Sequence, residues 1–268
     1  MGRACVVALL EHPQQFLLVG VHSRQLAGQA LSAHCRVDAA ANTSALFQHL
    51  RFESDIAALL TTTAPQVVVD FTHPKAVLDN AHAIIAAGAA PVIGATGLSP
   101  EALTALDGEL REAKLGGLYA PNFAIGAVLM MQFAAQAAKH FEHMGIIERH
   151  HARKADAPSG TALQTAVGMA KAREDAGLGA VKGTLVEEHE TIPGVRGGRS
   201  EGDIPIYSLR MPGVIAQQEV TFGALGETLS ITHNTTDRRC FMAGVLLACE
   251  RVTQHVGLTV GLEHYLFG

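Results

Sequence analysis

Short apolar segments alternate with helical segments along the first half of the chain, and this alternation limits the folds that are open to it. Strands are predicted at Phe16–Val21, Val67–Phe71, Ala90–Gly94 and Leu118–Ala120, and helices at Met1–Leu10, Pro74–Ala87 and Pro100–Lys114. Helices that connect successive parallel strands cover both faces of the resulting sheet. The pattern therefore predicts an α/β domain with a Rossmann-like parallel sheet.

The N-terminus departs from a complete domain of this kind. A first strand and a glycine-rich phosphate loop normally precede the first helix, but residues 1–10 already have a helical pattern. That strand lies centrally in the sheet, so its loss leaves neighbouring strands without hydrogen-bond partners. The first strand is therefore apparently missing, and the pattern favours a start site placed too far downstream over a genuinely short working protein.

The second half of the chain has a different organisation. A long helix at Phe123–Phe141 is followed by an apolar strand at Met144–Ile147, a polar loop and a helix that begins near Thr161. Strands at Ile204–Met211, Val214–Phe222 and Thr228–Asn234 are separated by short glycine-containing turns and predict an antiparallel meander, before a helix from Asp237 through Val256. This order indicates a second, α+β domain with a mostly antiparallel sheet, and one face of that sheet is left free to pack on a partner or under the domain's own helices.

The loop from Glu148 to Ala162 carries the strongest chemical signal, because it combines His150, His151, Arg153 and Lys154 with a helix start at Ser159-Gly160-Thr161. Histidines exchange protons near neutral pH, and a helix N-terminus favours a carboxylate or phosphate. Asp156 is a candidate to orient one of the histidines. A solvated basic loop that only caps the helix, through Ser159 or Thr161, explains each residue singly, but the combination favours a site for a small anionic substrate.

A zinc site is the competing interpretation of the two histidines. Adjacent residues of an extended segment point to opposite sides, and neither a cysteine pair nor a His-Glu-x-x-His helix accompanies His150 and His151. No metal is therefore expected.

Composition excludes several classes of partner. The 268 residues have a formal net charge of −5, which argues against a nucleic-acid surface, and no run of about 18 apolar residues predicts a membrane span. The four cysteines are far apart in sequence and form no C-x-x-C pair, which is typical of a reducing compartment. We expect a cytoplasmic protein whose partner is a small molecule.

Residues that follow the predicted strands are candidates for cofactor binding, since ligands of parallel sheets bind at the carboxyl ends of strands. Ser23 and Arg24 stand where an acidic residue usually binds the ribose of NAD, and they suit the 2′-phosphate of NADPH, although a surface arginine at a strand end explains them equally well. The turns Gly94-Ala95-Thr96-Gly97 and Ala120-Pro121-Asn122-Phe123 are positioned to approach a nicotinamide closely.

Taken together, these residues resemble the dihydrodipicolinate reductase (4-hydroxy-tetrahydrodipicolinate reductase) family of the diaminopimelate route to lysine, over essentially the whole chain. The motifs that carry the resemblance are the run from Glu148 to Ala162, Asp70-Phe71-Thr72, Gly94-Ala95-Thr96-Gly97, Ala120-Pro121-Asn122-Phe123-Ala124-Ile125-Gly126 and Arg210-Met211-Pro212-Gly213. The resemblance implies a dinucleotide-binding domain formed by residues 1–121 and 237–268, a substrate-binding and tetramerisation domain formed by residues 122–236, and a homotetramer.

The resemblance also assigns roles to individual residues. His150 takes the position of the family's proton donor or acceptor and Lys154 that of a second proton donor, while His151, Gly160 and Thr161 fall on substrate-binding positions. The implied cofactor contacts are Gly94, Ala95, Thr96, Ala120, Pro121, Asn122 and Phe123, with Ser23 and Arg24 at the adenosine-phosphate end. Ala95 replaces a threonine common in the family, and Met1-Gly2 are all that remains of its phosphate loop.

The implied reaction is hydride transfer from NADPH or NADH to a cyclic imine dicarboxylate, with protonation of the neighbouring carbon by His150 and Lys154. Two alternatives remain open at this point. One is a truncated, non-catalytic protein that still binds dicarboxylates, and the other is a related amino-acid dehydrogenase of similar architecture.

Overall fold

The structure is a computed structural model and describes residues 1–35, 45–181 and 189–268. It divides into two compact units, one formed by Met1–Ile125 with Arg238–Gly268 and the other by Gly126–Asp237. We call them the nucleotide unit and the substrate unit, after the roles that the resemblance implies for them. None of the helices in the described ranges is both long and apolar enough to cross a membrane.

The nucleotide unit contains a four-stranded parallel sheet surrounded by helices. Its described strands are β1 (Val21–His22), β2 (Phe52–Glu53), β3 (Val67–Asp70), β4 (Ala90–Ile93), β5 (Gly116–Tyr119) and β11 (Gly257–Val260). Its described helices are α1 (Gly2–Leu10), α2 (Ala45–His49), α3 (Ile56–Thr63), α4 (Val77–Ala86), α5 (Pro100–Ala113), α8 (Met242–Arg251) and α9 (Glu263–Phe267). The sheet order is β11-β5-β4-β3, and the predicted parallel α/β fold is confirmed.

One edge of this sheet is open within the described ranges. β1 pairs only with β2, in a separate two-stranded parallel sheet, and no described strand pairs with the outer edge of β3. Three of the four residues of β3 are only half-buried, whereas every residue of β4 and β5 is buried. The described sheet therefore lacks a strand beside β3, as the sequence pattern predicts.

The structure confirms helices α1 and α5 at the positions that the sequence pattern predicts. Residues 2–10 are helical, as expected, and Ser99 caps α5 by accepting a hydrogen bond from the backbone N–H of Ala102 at 3.2 Å. Pro100 occupies the first helical turn, where its missing N–H costs no hydrogen bond.

Two predictions for this unit are wrong. The strand expected at Phe16–Val21 begins only at Val21, and residues 16–20 form neither a helix nor a strand. The helix expected through Val256 ends at Arg251, and Gly257–Val260 instead forms β11 beside β5. A 3₁₀ turn at Val252–Gln254 continues from α8, and the helical path ends at His255, whose backbone is extended with φ of −124° and ψ of 159°. Gly257, with φ of +94°, then begins β11 in a conformation that glycine adopts readily.

The substrate unit contains a five-stranded mixed sheet with the order β10-β9-β6-β8-β7. Its described strands are β6 (His143–His150), β7 (Gly198–Arg199), β8 (Pro205–Arg210), β9 (Ala216–Ala224) and β10 (Glu227–Thr235), and its helices are α6 (Ile125–Ala137) and α7 (Gly160–Asp175). Only β6 and β8 pair in parallel, so the sheet is mostly antiparallel, as predicted.

The expected meander of three consecutive strands is wrong in one respect. β9 and β10 form a hairpin, but β6 lies between β8 and β9 and pairs with both. The connection from β8 to β9 therefore passes around the end of β6: Met211 N–H donates to the carbonyl of His150 at 3.0 Å, and His151 N–H donates to the carbonyl of Ile215 at 3.4 Å. Turn sequences indicate that two strands follow one another along the chain. They do not indicate that a strand from another part of the chain inserts between those two in the sheet.

The core of the substrate unit lies between one face of the sheet and the two helices. Fully buried side chains of β6, α7, β9 and α6 form it, including Ile146, Met169, Phe222 and Ala134. Alternate residues of β6, from Met144 through Ile146 to Glu148, face this core. Glu148 is therefore a charged residue on the face of the strand that is otherwise apolar.

Candidate active site

The site begins where β6 ends and α7 starts. His150 is the last residue of β6, and Ser159 caps α7 by accepting a hydrogen bond from Ala162 N–H at 3.2 Å. Of the two caps considered from sequence, the structure selects Ser159. Gly160 and Thr161 then occupy the first helical positions, where the positive end of the helix dipole favours an anion.

A buried carboxylate lies at the centre of this site. Glu148 is fully buried, and its two oxygens accept hydrogen bonds from both terminal nitrogens of Arg210, each at 2.8 Å. The same carboxylate contacts Nδ1 of His150 at 2.5 Å and accepts the backbone N–H of Ser159 at 3.2 Å. One side chain therefore links the strand, the histidine and the start of α7.

Arg210 extends this network to the loop. Its Nη2 donates to the main-chain carbonyl of Asp156 at 2.6 Å in addition to Glu148. Arg210 is the last residue of β8 and lies directly beside His150 in the paired strands. The guanidinium thus braces the loop between residues 151 and 159 against the end of the sheet.

The charges of this network set its protonation states. Burial by itself would raise the pKa of Glu148, but the hydrogen bonds from Arg210, Ser208 and His150 outweigh it and lower that pKa. Burial lowers the pKa of His150, and the charges of Lys154 and Arg210 add to that effect against the opposing influence of Glu148. The site therefore holds an ionised carboxylate and, near neutral pH, a neutral imidazole.

Lys154 lies on the loop and does not take part in the Glu148 network directly. Its Nζ donates to both carboxylate oxygens of Asp156 at 2.8 and 2.7 Å, and its side chain is about one-fifth exposed (21%). The expectation that Asp156 orients a histidine is wrong, because the bond from Arg210 to the Asp156 backbone and the turn bond from Lys154 N–H to His151 direct the Asp156 carboxylate to Lys154.

The remaining candidate substrate-binding residues lie on the same loop and at the start of α7. His151 is half-buried beside the β8–β9 connection, Thr161 is half-buried, and Gly160 is exposed. A Cβ added at Gly160 would meet no atom of the chain within 4 Å, so internal packing does not require a glycine there. Open space over the start of a helix is suited to an approaching ligand.

The candidate cofactor residues of the nucleotide unit lie at three strand ends. Ala95, two residues after β4, and Ala120, directly after β5, are buried, and the residues that follow them, Thr96 and Pro121, are exposed. Asn122 closes its turn by accepting the N–H of Ala124 at 2.9 Å. At both strand ends, an exposed residue therefore follows a buried alanine.

Gly94 is explained by close packing. A Cβ at this position would lie 2.1 Å from the ring of Phe71 and 2.9 Å from that of Phe123, and the two rings pack edge to face with centroids 5.7 Å apart. Phe123 is buried and so contributes its ring to packing.

Ser23 and Arg24 follow β1. The Ser23 hydroxyl accepts the N–H of Leu26 at 3.3 Å and closes a turn, and Arg24 is exposed. This leaves the Arg24 guanidinium accessible to an anion.

Sequence reasoning assigned no role to four polar residues of these sites, namely Glu148, Arg210, Asp70 and Asn80. Asp70, at the end of β3, is buried and accepts hydrogen bonds from Thr72 N–H at 2.6 Å and from Asn80 Nδ2 at 2.9 Å. The signal that would have identified Glu148 is its position: a charged residue at an inward-facing position of a strand is rarely buried without a partner.

No group of three or more histidine, cysteine, aspartate or glutamate side chains is arranged to hold a metal ion in the ranges 1–35, 45–181 and 189–268. His150 is engaged by Glu148 at Nδ1.

Comparisons with known proteins agree with this arrangement. The family profile described as "Dihydrodipicolinate reductase, N-terminus" matches residues 1–123, and that described as "Dihydrodipicolinate reductase, C-terminus" matches residues 126–266. The chain belongs to the dihydrodipicolinate reductase family. The two profiles meet close to the boundary between the two structural units.

Individual relatives cover nearly the whole chain. The 4-hydroxy-tetrahydrodipicolinate reductase of Synechocystis sp. is 43% identical over 99% of this chain and 94% of that protein. The protein of the same name from Legionella pneumophila strain Lens is 48% identical over 80% of this chain and 85% of that protein.

Solved structures give the same result. A dipicolinate-bound dihydrodipicolinate reductase from Paenisporosarcina sp. TG-14 superposes with a TM-score of 0.82 at 36% identity, over 98% of this chain and 94% of that one. An amine dehydrogenase from Mycobacterium smegmatis has a TM-score of 0.62 at 15% identity, over 97% of this chain and 91% of that one, and shares only the fold.

Proposed function

We propose that the chain catalyses the NAD(P)H-dependent reduction of 4-hydroxy-tetrahydrodipicolinate to tetrahydrodipicolinate in the diaminopimelate route to lysine. The observation that carries this proposal is the His150–Glu148–Arg210 network beside Lys154 at the start of α7, in a chain of this family. The substrate is a small cyclic dicarboxylate, and the enzyme is an oxidoreductase.

His150 and Lys154 are proposed as the proton-transferring residues. His150 is held at one ring nitrogen by Glu148, which leaves the other nitrogen for proton transfer. Lys154 carries a positive charge close enough to lower the pKa of His150, and the same charge attracts a dicarboxylate.

His151, Gly160 and Thr161 are proposed to bind the substrate. The positive helix end at Gly160 and Thr161 suits one carboxylate, and the open space over Gly160 admits it to the backbone. Together with the ammonium of Lys154, these groups balance the two negative charges of the substrate.

The cofactor is NADH or NADPH, which supplies the hydride when it is bound. Residues Gly94–Thr96 and Ala120–Phe123 are proposed to bind its nicotinamide end, where Thr96 and Pro121 are exposed at the ends of their strands. Ser23 and Arg24 are proposed for the adenosine end, because the exposed guanidinium is suited to bind a 2′-phosphate.

Assembly and location are part of the same proposal. One face of the substrate-unit sheet packs on α6 and α7, whereas the opposite face presents half-buried or exposed residues such as Ile147, Thr221 and Ser230. We infer that this face packs against another copy and that the protein is a homotetramer. The four cysteines, which all lie in the described ranges, form no disulfide, and this supports a reducing compartment such as the cytoplasm.

A steady-state assay tests the proposed activity. The chain should oxidise NADH or NADPH only in the presence of the cyclic substrate, and dipicolinate should inhibit. Replacing His150→Gln or Lys154→Met should lower kcat by about 10²-fold or more, because each removes a proton-transferring group. Lys171→Met is the matched control, since Lys171 is an exposed residue of α7 that pairs only with Asp175 among the described contacts, and it should leave kcat unchanged.

Three results would count against the proposal. Near-normal kcat in both site variants would remove their catalytic roles. Dipicolinate binding without binding of either nucleotide would favour the non-catalytic alternative. Turnover of aspartate in place of the cyclic dicarboxylate would favour an amino-acid dehydrogenase.

A further inference from the structure

Glu148 has a place in the site that neither the proton-transfer scheme nor substrate binding accounts for. Its side chain is fully buried, yet it is ionised by virtue of its contacts with Arg210. Burying a carboxylate is costly unless it is paired and hydrogen-bonded, and replacement by an apolar residue is often tolerated where stability alone is concerned. A buried charge at this position therefore calls for a reason beyond packing.

The geometry of the carboxylate supplies one. Oε2 of Glu148 contacts Nδ1 of His150 at 2.5 Å, and the oxygen of an ionised carboxylate can only accept a hydrogen bond. Nδ1 must therefore carry the proton in this contact. Since a neutral imidazole has one N–H, Nε2 of His150 is then the unprotonated nitrogen.

Arg210 prevents the carboxylate from taking that proton for itself. Its two terminal nitrogens donate to the two oxygens of Glu148, in the bidentate arrangement that favours an ionised carboxylate. Arg210 also donates to the carbonyl of Asp156, and Glu148 accepts the N–H of Ser159. The carboxylate and the loop that carries Lys154 are thus fixed together.

We propose that Glu148 is a positioning residue for the reductase reaction: it holds His150 in the Nδ1–H form, so that Nε2 is the atom that exchanges the proton with the substrate. This inference rests on the proposed function. When the imidazolium donates, its Nε2–H bond breaks, a C–H bond forms at the substrate carbon next to the one that receives the hydride, and the bonding pair stays on Nε2. The carboxylate at Nδ1 stabilises the imidazolium before that transfer.

The ring-nitrogen ¹⁵N resonances of His150 in the full-length wild-type chain test the proposal directly. The resonances are assigned by their loss in His150→Gln and followed between about pH 5 and pH 8. The expected result is a neutral form with protonated Nδ1 and bare Nε2. A neutral form with protonated Nε2 overturns the proposal, and this measurement needs no Glu148 variant to fold.

Glu148→Gln provides the kinetic test. The amide keeps the shape but loses the charge, and its NH₂ group must face either Arg210 or His150. Loss of the charge should lower the apparent pKa of His150 and decrease kcat by between about 10-fold and 10⁴-fold, the range for carboxylates that orient catalytic groups, with little change in KM for the dicarboxylate. The ¹⁵N pattern should lose its single Nδ1–H form.

Gln218→Met is the matched control. Gln218 is buried on β9 directly beside Glu148, and its Nε2 donates to Thr165 Oγ1 of α7 at 2.7 Å, so this variant also removes a buried polar contact between sheet and helix. It should lower the melting temperature without changing the His150 tautomer or the pH profile of kcat.

The outcomes separate the two levels of the proposal. If Glu148→Gln behaves like Gln218→Met, with lower stability and an unchanged pH profile, Glu148 is only structural and the inference fails. If wild-type His150 shows the Nδ1–H form but the chain does not turn over the cyclic dicarboxylate, the proposed function fails, and with it the role of Glu148 in that reaction, while the assignment of the His150 tautomer stands.

Discussion

The substrate site and the strand ends of the nucleotide unit are built by different means. Around His150, a fully buried carboxylate and a guanidinium form a network of charged hydrogen bonds. At the end of β4, the rings of Phe71 and Phe123 close over Gly94 and the backbone makes the turn. This difference is consistent with the two proposed ligands. The proposed substrate site must transfer a proton, whereas the proposed nucleotide site must offer backbone groups and a complementary surface to the cofactor.

The same contrast appears in the buried polar groups of the two regions. Asp70 bonds Thr72 N–H and Asn80, both neutral donors, so it fixes a turn without a buried cation. Glu148 bonds Arg210 and so keeps its charge in a dry environment. We therefore expect the nucleotide-unit turn to respond mainly to changes of volume, and the substrate site to respond mainly to changes of charge.

The largest effect on stability is expected for Gly94→Ala. The new methyl group would lie 2.1 Å from the Phe71 ring and force the ring pair apart, which should cost about 1–3 kcal/mol. Gly108→Ala is the control, because Gly108 is exposed within α5 with nothing within 4 Å, and it should be neutral or stabilising by up to about 1 kcal/mol. Thermal unfolding measures both, and equal effects would contradict the packing role of Gly94.

A smaller effect is expected from pH, and it should be specific to the charged site. The folded pKa of His150 is lowered below its ordinary value of 6.5, mainly by burial, so the unfolded chain takes up that proton first as the pH falls. The lowered pKa of Glu148, for which bonds from Arg210 outweigh burial, acts in the same direction at lower pH. Stability should therefore be full above about pH 6.5 and decrease below it.

Calorimetry between about pH 8 and pH 4 checks this expectation, with a decrease of the melting temperature of a few degrees as the expected size. His150→Gln should flatten the part of the curve between about pH 7 and pH 5. If the variant and the wild type follow the same curve, the histidine is not the group that couples stability to pH.

The smallest effect is expected at Arg24. Arg24→Ala should raise KM for NADPH about 3-fold to 10-fold and leave KM for NADH unchanged, since only NADPH carries a 2′-phosphate. Arg251→Ala removes an exposed arginine at the end of α8 and serves as the control. A parallel rise for both nucleotides would show that Arg24 does not contact that phosphate.

Local sequence signals predicted part of this structure well. Ser99 was recognisable as a cap, and Ser159 as one of two candidates with Thr161, because a hydroxyl followed by a helical pattern satisfies the first N–H groups of the helix within a few residues. His150 and Lys154 became candidates for a similar reason, because one short segment combines them, and their roles stay a prediction. Glu148, by contrast, begins that segment, but the local sequence indicates no role for it.

Long-range pairing accounts for the errors. The strand expected at Phe16–Val21 has the right composition, but only Val21 and His22 meet a partner, β2. β11 was missed because its four residues become a strand through pairing with β5, more than a hundred positions earlier in the chain. Strand formation depends on such partners more than on intrinsic preference.

The amino-acid order by itself determined the α/β class, the start of α5 at its cap, and the candidate side chains of one loop, because each depends on residues close together in the chain. The tertiary structure decided that β6 inserts between β8 and β9 and that Arg210 meets Glu148 across 62 positions. The contact between Arg210 and Glu148 determines the charge state of Glu148, because a buried carboxylate stays ionised only where donors from distant parts of the chain converge on it.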